Sequence, residues 1–338
     1  MHLPTKSVDR LKAVTGVLIF ICGSAIAQAD PQRSIESPAE VAKSKPAATN
    51  APPTDPKVLL EQELKKLEEA DDVAKAETDE LIRQNEEFAA KGAGLPPAQL
   101  SQRIRQRLEP VRKGYEDFIQ RHPDYAPARV AYASFLNDIG DEDGEFTQLE
   151  KARELDPSDP AVWNNLANYY GHNSPVTNAF AYYEKAISLD GTEPIYYHNF
   201  GTTVYLFRKD AREYYGIEEQ QVFDKALNLY SNAMRLDPTN YTLATDVAMT
   251  YYGIKPLRTD DALFAWTNAL RLAPEQAERE GVYLHLARIE MAAGRYPASH
   301  QHLNAVTNQM HDVVKRRLVR NLNERENGTN APPTPLAR

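Results

Sequence analysis

The chain has 338 residues, of which 42% are hydrophobic, a formal net charge of −9 and a single cysteine. This length leaves room for about two domains, and the excess of acidic side chains gives no basic field for binding nucleic acid. Because Cys22 is the only cysteine, disulfides, cysteine-ligated metals and cysteine nucleophiles are not expected in the rest of the chain.

Residues 1–29 have the layout of a secretory signal. A cationic start is followed by an uncharged apolar run at 13–27, and small residues at 27 and 29 suit a signal peptidase. The cations of that start are Lys6, Arg10 and Lys12. The run has about 15 residues, whereas a spanning helix needs roughly 20. We therefore expect cleavage near Ala29 and a periplasmic or secreted protein with no integral membrane span, with an uncleaved anchor as the alternative. Ile21 is too bulky to precede a lipid-modified Cys22.

The segment at 30–56 is rich in Pro, Ala, Ser and Thr, which predicts a disordered linker. Residues 57–91 then become rich in Glu, Lys, Leu and Ala, and twelve acidic residues stand against five basic ones between 55 and 90. Apolar residues recur every seven positions at Leu60, Leu67, Ala74, Leu81 and Phe88. The other half of such a heptad seam is mostly polar, at Leu64, Asp71, Thr78 and Asn85. Two interpretations stay open: a solvated single helix, or a weak self-associating coiled coil through residues 60–88. Gly92, Gly94, Pro96 and Pro97 predict a boundary before the main domain.

Self-similarity at a spacing of 34 residues predicts the fold of the main domain. Glu150-Lys151-Ala152, followed by Leu155-Asp156-Pro157, is repeated as Glu184-Lys185-Ala186, followed by Leu189-Asp190. A second set occupies Trp163, Leu166, Ala167 and Tyr170, and recurs at Tyr197, Phe200, Gly201 and Val204. Alanines fill the small-residue position elsewhere, at Ala133, Ala248 and Ala287.

These two sets resemble the second and first helices of a tetratricopeptide repeat. The resemblance implies an all-α, right-handed superhelical solenoid of about five antiparallel helix pairs over residues 97–306. The small residue would lie where the two helices of a repeat touch, because a larger side chain would push them apart. Pro110 would then begin the second helix of the first pair.

One repeat departs from this spacing. Gly201 and Ala226 are 25 residues apart, where the neighbouring repeats imply 12. Tyr-Tyr-Gly occurs at 169–171, 214–216 and 251–253, and a left-handed glycine at each would close a helix. We therefore predict that a first helix runs from 195 to 215 within a long hairpin at 195–236, and that it protrudes by about 16 Å. As a partner-contact element it would present Phe207, Arg208, Lys209, Arg212 and Tyr214. The alternative is an insertion packed against the adjacent repeat.

Residues 307–325 predict a basic capping helix, since a terminal repeat needs a polar outer face. One side would carry Met310, Val313, Val314, Leu318 and Leu322. The basic residues Lys315, Arg316, Arg317 and Arg320 would form a solvated outer face, with contact to an acidic partner or a membrane surface as the alternative. Residues 326–338 predict a disordered tail.

In tetratricopeptide repeats the first helices line a concave face that commonly binds extended peptides or helices. In this sequence the resemblance places eight residues on such a groove: Asn164, Asn168, His198, Thr202, Tyr205, Thr245, Met249 and Tyr252. The set lacks the Lys and Arg that clamp a terminal carboxylate, so it suits hydrogen bonding to a peptide backbone or aromatic stacking on a sugar.

Catalytic and metal-binding patterns are missing from the sequence. There is no His-Glu-x-x-His, no phosphate-binding glycine loop and no nucleophile elbow, and His300 and His302 would point apart on a helix. We expect no enzyme activity, no cofactor and no metal. The sequence favours a protein-interaction scaffold of the bacterial cell envelope that binds a protein or peptide partner, with a carbohydrate- or peptidoglycan-associated binding module as the alternative.

Overall fold

The structure is a computed structural model that describes residues 55–328. The predicted signal, nearly all of the predicted linker and residues 329–338 of the predicted tail lie outside the described residues. The described part of the chain is all-α, with fourteen α-helices and no strand. It divides into two compact units, one ending at Pro157 and the other beginning at Ser158.

The first unit contains four helices. They are α1 (Pro56–Ala89), α2 (Pro97–Arg121), α3 (Ala126–Asp138) and α4 (Glu142–Leu155). Helix α1 packs along α2, and α3 pairs with α4. The side chain of Asp55 begins α1 by accepting the N–H of Lys57 at 2.9 Å, which satisfies one of the free N–H groups at a helix start.

Helix α1 packs against α2 and α3, so the interpretation as a separate solvated helix is corrected, and the self-associating coiled coil stays a prediction. Its buried residues are Leu64, Asp71, Ala74 and Thr78, which include three of the four residues of the mostly polar half of the heptad pattern. The Asp71 carboxylate lies 3.0 Å from Lys75 Nζ, and Lys75 reaches Asp138 of α3 at 2.5 Å. Polar residues fill this seam because an ammonium pairs with two carboxylates there, a partnership that the apolar periodicity does not reveal.

Helix α2 runs without interruption through Pro110. The expectation that Pro110 begins a second helix is therefore wrong, and the partner of α2 is α1. The boundary predicted at 92–97 is a turn within a helical hairpin, which the short connection between two packed helices explains.

Glu145 in the first turn of α4 is an ionisable group buried without a basic partner nearby. Only 6% of its surface is exposed, and burial, together with the charges of Glu142 and Asp138, raises its pKa to about 8. A carboxyl whose folded pKa lies above its unfolded value favours folding below pH 4.5, and this contribution is lost as pH rises through 8.

We expect Glu145→Gln to stabilise the first unit at neutral pH by about 1–3 kcal/mol. The amide is neutral at every pH, whereas the carboxyl must either take up a proton or be buried with its charge. Urea unfolding at pH 5 and pH 8 measures the effect, which should be larger at pH 8. Glu142 is only partly exposed and has contacts of its own. Glu109 on α2 is exposed and serves as the control, and its change to Gln should alter stability by less than about 0.5 kcal/mol. Equal effects at both pH values would contradict a raised pKa for Glu145.

The second unit contains the remaining helices. They are α5 (Pro160–His172), α6 (Thr177–Leu189), α7 (Pro194–Leu206), α8 (Arg208–Tyr215), α9 (Glu219–Leu236), α10 (Tyr241–Thr250), α11 (Thr259–Leu272), α12 (Gln276–Ala292), α13 (Tyr296–Asn304) and α14 (Asp312–Glu326). Single 3-10 turns cover Tyr251–Gly253 and Gln309–His311. The helix pairs are α5 with α6, α7 with α9, α10 with α11, and α12 with α13.

The predicted small-residue positions are confirmed as close contacts. Ala167, Ala248 and Ala287 are at most 1% exposed. At Gly201 a Cβ atom would lie 3.1 Å from the ring of Tyr230 on the paired helix, so anything larger than glycine forces the pair apart. This repeated pairing gives the described chain a tetratricopeptide-repeat-like fold.

The inserted segment does not protrude, so the prediction of a continuous helix from 195 to 215 is wrong. Helix α7 ends at Leu206, the backbone turns at Phe207 (φ −102°, ψ 42°), and α8 begins at Arg208. Helix α8 lies against α6, α7 and α9, with Ala211 fully buried. Tyr215 donates a hydrogen bond to Glu184 at 2.8 Å. An amphipathic helix is stable when its apolar side is buried, and α8 buries that side against α6, α7 and α9.

Only one of the three Tyr-Tyr-Gly copies uses its glycine as expected. Gly216 is left-handed, with φ 63°, and ends α8. Gly171 lies within α5, and Gly253 belongs to a 3-10 turn without positive φ. Gly253 is required for another reason, which is its contact with Tyr205 described below.

The last helix is held by a buried carboxylate. Glu280 of α12 has no exposed surface and accepts the N–H groups of Thr307 and Asn308 at 2.7 and 2.6 Å. The Thr307 hydroxyl and the Gln276 amide also donate to it, each at 2.9 Å. These hydrogen bonds, of which the one from the Asn308 N–H has the largest effect, lower the pKa of Glu280 to about 2. The loop that enters α14 is therefore fixed to α12 by a charge-assisted cluster.

Helix α14 corresponds to the predicted cap, but its apolar side is only partly covered. Leu318 and Leu322 are buried, as expected. Met310 and Val313 are 68% and 73% exposed, because they precede or begin the helix at a point where no described helix covers them.

Candidate functional site

Side chains of the first helices in the second unit bond from one helical pair to the next. Asn199 of α7 donates to Asn164 of α5 at 3.3 Å. His198 Nε2 lies 3.0 Å from Asp246 Oδ2 on α10. The hydroxyl of Tyr252 lies 3.0 Å from His285 Nδ1 on α12. We call these three contacts the inter-pair ladder. The ladder joins the first helices α5, α7, α10 and α12 by polar contacts, the last of them from the 3-10 turn that directly follows α10. This face is therefore polar, and its side chains hold one another in place.

A second set of bonds runs from first helices to buried tyrosines of second helices. Tyr183 donates to Asn168 at 2.6 Å, and Tyr230 lies 3.0 Å from Thr202. Both tyrosines are 2% exposed, and a buried phenol hydroxyl needs such a partner. Asn168 and Thr202 therefore satisfy groups of the core.

Tyr205 contacts the 3-10 turn that follows α10. The hydroxyl of Tyr205 packs so closely against Gly253 that a Cβ atom at position 253 would overlap that oxygen. The sequence singles out both residues for other reasons, and the structure shows that they serve one contact.

The eight predicted groove residues thus divide into two groups. Five of them bond to side chains of neighbouring helices, namely Asn164, Asn168, His198, Thr202 and Tyr252, and Tyr205 packs closely against Gly253. Thr245 and Met249 do not take part in the ladder. Thr245 donates only to the carbonyl oxygen of Thr242 within its own helix, at 2.7 Å, and Met249 is half-buried beside the core.

Sequence reasoning misses the partners of the ladder, which are Asn199, Asp246 and His285. Each is a polar residue of a first helix, and each stands at a position where the repeat pattern predicts that the helix packs against its neighbours. That anomaly is a signal, but the pairing of His198 with a residue 48 positions away depends on how the inserted segment folds.

A ring stack closes the ladder at α12. The rings of His285 and Trp266 are 4.0 Å apart and nearly parallel, at 4°. Burial, aided by the charge of Arg288, lowers the pKa of His285 to about 4. The Arg288 guanidinium lies 4.7 Å from the centre of the Tyr252 ring, a favourable cation–π geometry. The groove predicted to lack Lys and Arg therefore has one arginine beside it.

The predicted contact residues of the inserted segment lie on α8, except for Phe207, which directly precedes it. Arg208 pairs with Glu219 at 3.4 Å, and Arg212 with Glu218 at 3.5 Å. Tyr214 is 42% exposed, although its ring packs on Phe180 at 5.4 Å. A shallow depression of about 200 Å³ there is lined by Lys209, Arg212, Glu213 and Ile217. Phe207 is half-buried against the core.

The two histidines of α13 have separate partners. His300 Nε2 lies 2.9 Å from Glu326, whereas the His302 ring stacks 5.9 Å from Tyr283. Between residues 55 and 328, no group of three or more His, Cys, Asp or Glu side chains is arranged to hold a metal ion. None of the helices in that range is long and apolar enough to cross a membrane.

Comparisons with known proteins return structural similarity only. No protein family and no curated protein matches the sequence. Solved structures that are similar include PilF of Pseudomonas aeruginosa, with 19% identity, a TM-score of 0.45, and coverage of 60% of this chain and 87% of that one. PilW, a type IV pilus biogenesis factor, has 14% identity, a TM-score of 0.47 and coverage of 67% and 90%. The TPR protein YrrB has 14% identity, a TM-score of 0.46 and coverage of 61% and 97%.

Proposed function

We propose that this protein is a non-enzymatic interaction scaffold that binds a segment of a partner protein on the first-helix face of its second unit. The observation that carries the proposal is the inter-pair ladder. Its central pair stays near the surface, since His198 and Asp246 are each about one-fifth exposed, whereas Asn164 is buried. A ladder that is already ordered offers hydrogen-bonding groups to a ligand with little further loss of entropy.

The chemistry of this face suits an extended peptide. Imidazole, carboxylate, amide and phenol groups follow one another along successive helices, and an extended backbone presents N–H and C=O groups at regular intervals. Arg288 adds a cation at one end of the row, which favours a segment carrying an acidic residue there. The signal-like residues 1–29 support the cell envelope, through export to the periplasm or medium, as the place where such a partner is met.

Thr245 offers the sharpest test, because its only side-chain bond lies within its own helix. A photo-crosslinking amino acid at 245 should trap the partner in cells, whereas the same group at Phe264, which is 78% exposed on α11, should not. We expect Thr245→Arg to weaken capture by at least about tenfold, since the long side chain blocks the face while the fold persists.

Three results would contradict the assignment. Crosslinking from 264 as strong as from 245 would show that the face has no preference. Crosslinking from Arg212 but not from 245 would place the partner contact on α8. Trapping of a glycan strand in place of a protein would favour the carbohydrate-binding alternative.

A further inference from the structure

The last described helix carries an uncovered basic stripe. On α14, Leu318 and Leu322 face the core, and the helical period places four residues on the opposite side. These are Val313, Arg316, Arg317 and Arg320, which we call the basic stripe, and all four are exposed. A depression of about 670 Å³ runs along the same helix, where three cations, Lys315, Arg316 and Arg320, outnumber two carboxylates, Asp312 and Glu324.

The first described helix carries an uncovered acidic stripe. On α1 the core side is marked by Leu64, Asp71, Ala74 and Thr78. The opposite side holds Glu69, Val73, Glu80 and Glu87, which we call the acidic stripe, and all four are exposed. Between residues 69 and 87 the exposed side chains include seven carboxylates and one arginine. That arginine, Arg83, pairs with Glu80 at 2.7 Å and with Glu87 at 2.5 Å, which leaves five of the seven carboxylates without it. Val73 is 59% exposed at the centre of the stripe.

We propose that the basic stripe of one molecule binds the acidic stripe of a second copy of this chain. The charges of the two stripes identify the binding partner of each, because arginines surround an exposed valine on α14 and carboxylates surround an exposed valine on α1. In repeat arrays a polar terminal face normally prevents further stacking. Here the exposed faces of α1 and α14 have opposite signs, so that the basic stripe attracts the acidic stripe and each stripe repels a copy of itself.

The dimensions of the helices agree with this pairing. Helix α14 has 15 residues and α1 has 34, which correspond to about 22 and 51 Å, so that α14 fits within the length of α1. The contact uses different surfaces on the two molecules. It is therefore heterologous, and it joins molecules head to tail into assemblies that grow with concentration, up to a closed ring where the rotation between copies closes one.

The experiment uses two charge reversals on the purified protein, Arg316→Glu/Arg320→Glu and Glu69→Lys/Glu80→Lys. Sedimentation should show wild-type assemblies that grow with concentration in about 50 mM salt and dissociate in about 0.5 M salt, since exposed charge pairs are screened. Each variant alone should bind its own kind at least about tenfold more weakly. An equimolar mixture of the two should assemble again, because every contact in it joins opposite charges.

The control is Arg235→Glu/Arg271→Glu, which changes the net charge as much as the α14 variant but alters exposed residues of α9 and α11. It should assemble like the wild type. A wild-type protein that stays monomeric in low salt at millimolar concentration overturns the proposal, as does a mixture that stays monomeric. Loss of assembly in the α1 variant alone would point instead to contact between two α1 helices, and would equally overturn it.

Discussion

Replacing Lys75 with Met is expected to destabilise the first unit by about 2–3 kcal/mol at neutral pH, because removing one partner leaves buried charge unpaired. Lys75 lies between Asp71, which is 4% exposed, and Asp138. Burial already raises the pKa of Asp71, and the attraction of Lys75 opposes that rise. Without Lys75 the carboxyl retains its proton to higher pH, so the loss of stability should grow as pH rises.

Hydrogen exchange over residues 56–89 measures this effect locally, because α1 should open first when its link to α3 is lost. Lys66→Met is the matched control, since Lys66 is exposed on the same helix, and it should change protection by less than about 0.5 kcal/mol. If both variants exchange alike at every pH, the polar seam does not hold α1 to the repeats.

Replacing His285 with Phe is expected to remove much of the acid sensitivity of the second unit between pH 6.5 and 4. Burial lowers the pKa of His285 from 6.5 to about 4 in the folded protein. A histidine that stays neutral in the fold contributes stability that is lost as pH falls through this range, because the unfolded chain takes up a proton first. At pH 5 the loss amounts to about 2 kcal/mol relative to pH 7.

Urea unfolding followed by circular dichroism at pH 7, 6 and 5 checks the slope. Phenylalanine can keep the stack on Trp266 but loses the bond to Tyr252, so the variant should be weaker at pH 7 and flatter with pH. Tyr252→Phe removes the same bond while leaving the imidazole, and should keep the wild-type slope. The acid sensitivity due to Glu280, whose pKa is lowered to about 2, should remain below pH 4.5 in both variants. A slope unchanged in His285→Phe would contradict the assignment.

The sequence predicts the small contact positions well, because they depend on local spacing. Ala133, Ala167 and Gly201 are recognisable from a 34-residue period, and each is buried as expected. Predictions that need a tertiary partner fare worse. Phe207 gives no sign of a helix break, and the break exists because α8 finds a surface on α6 and α9.

The polar residues of the candidate site show the same limit. Their helical spacing places His198 and Tyr252 on first helices, but not opposite Asp246 and His285. Those partners lie far along the chain, and their register depends on how the thirteen added residues are accommodated between Gly201 and Ala226.

The sequence by itself therefore determined that the chain is a helical repeat array, since a residue pattern with a fixed period specifies which face of each helix is apolar. Only the tertiary structure decided that α1 belongs to the array and that the insertion folds back. It also decided that the polar row bonds from pair to pair. These features depend on pairs of charged or hydrogen-bonding groups that are distant in sequence, and a buried polar group is stable only when a partner at the right distance compensates for its lost hydration.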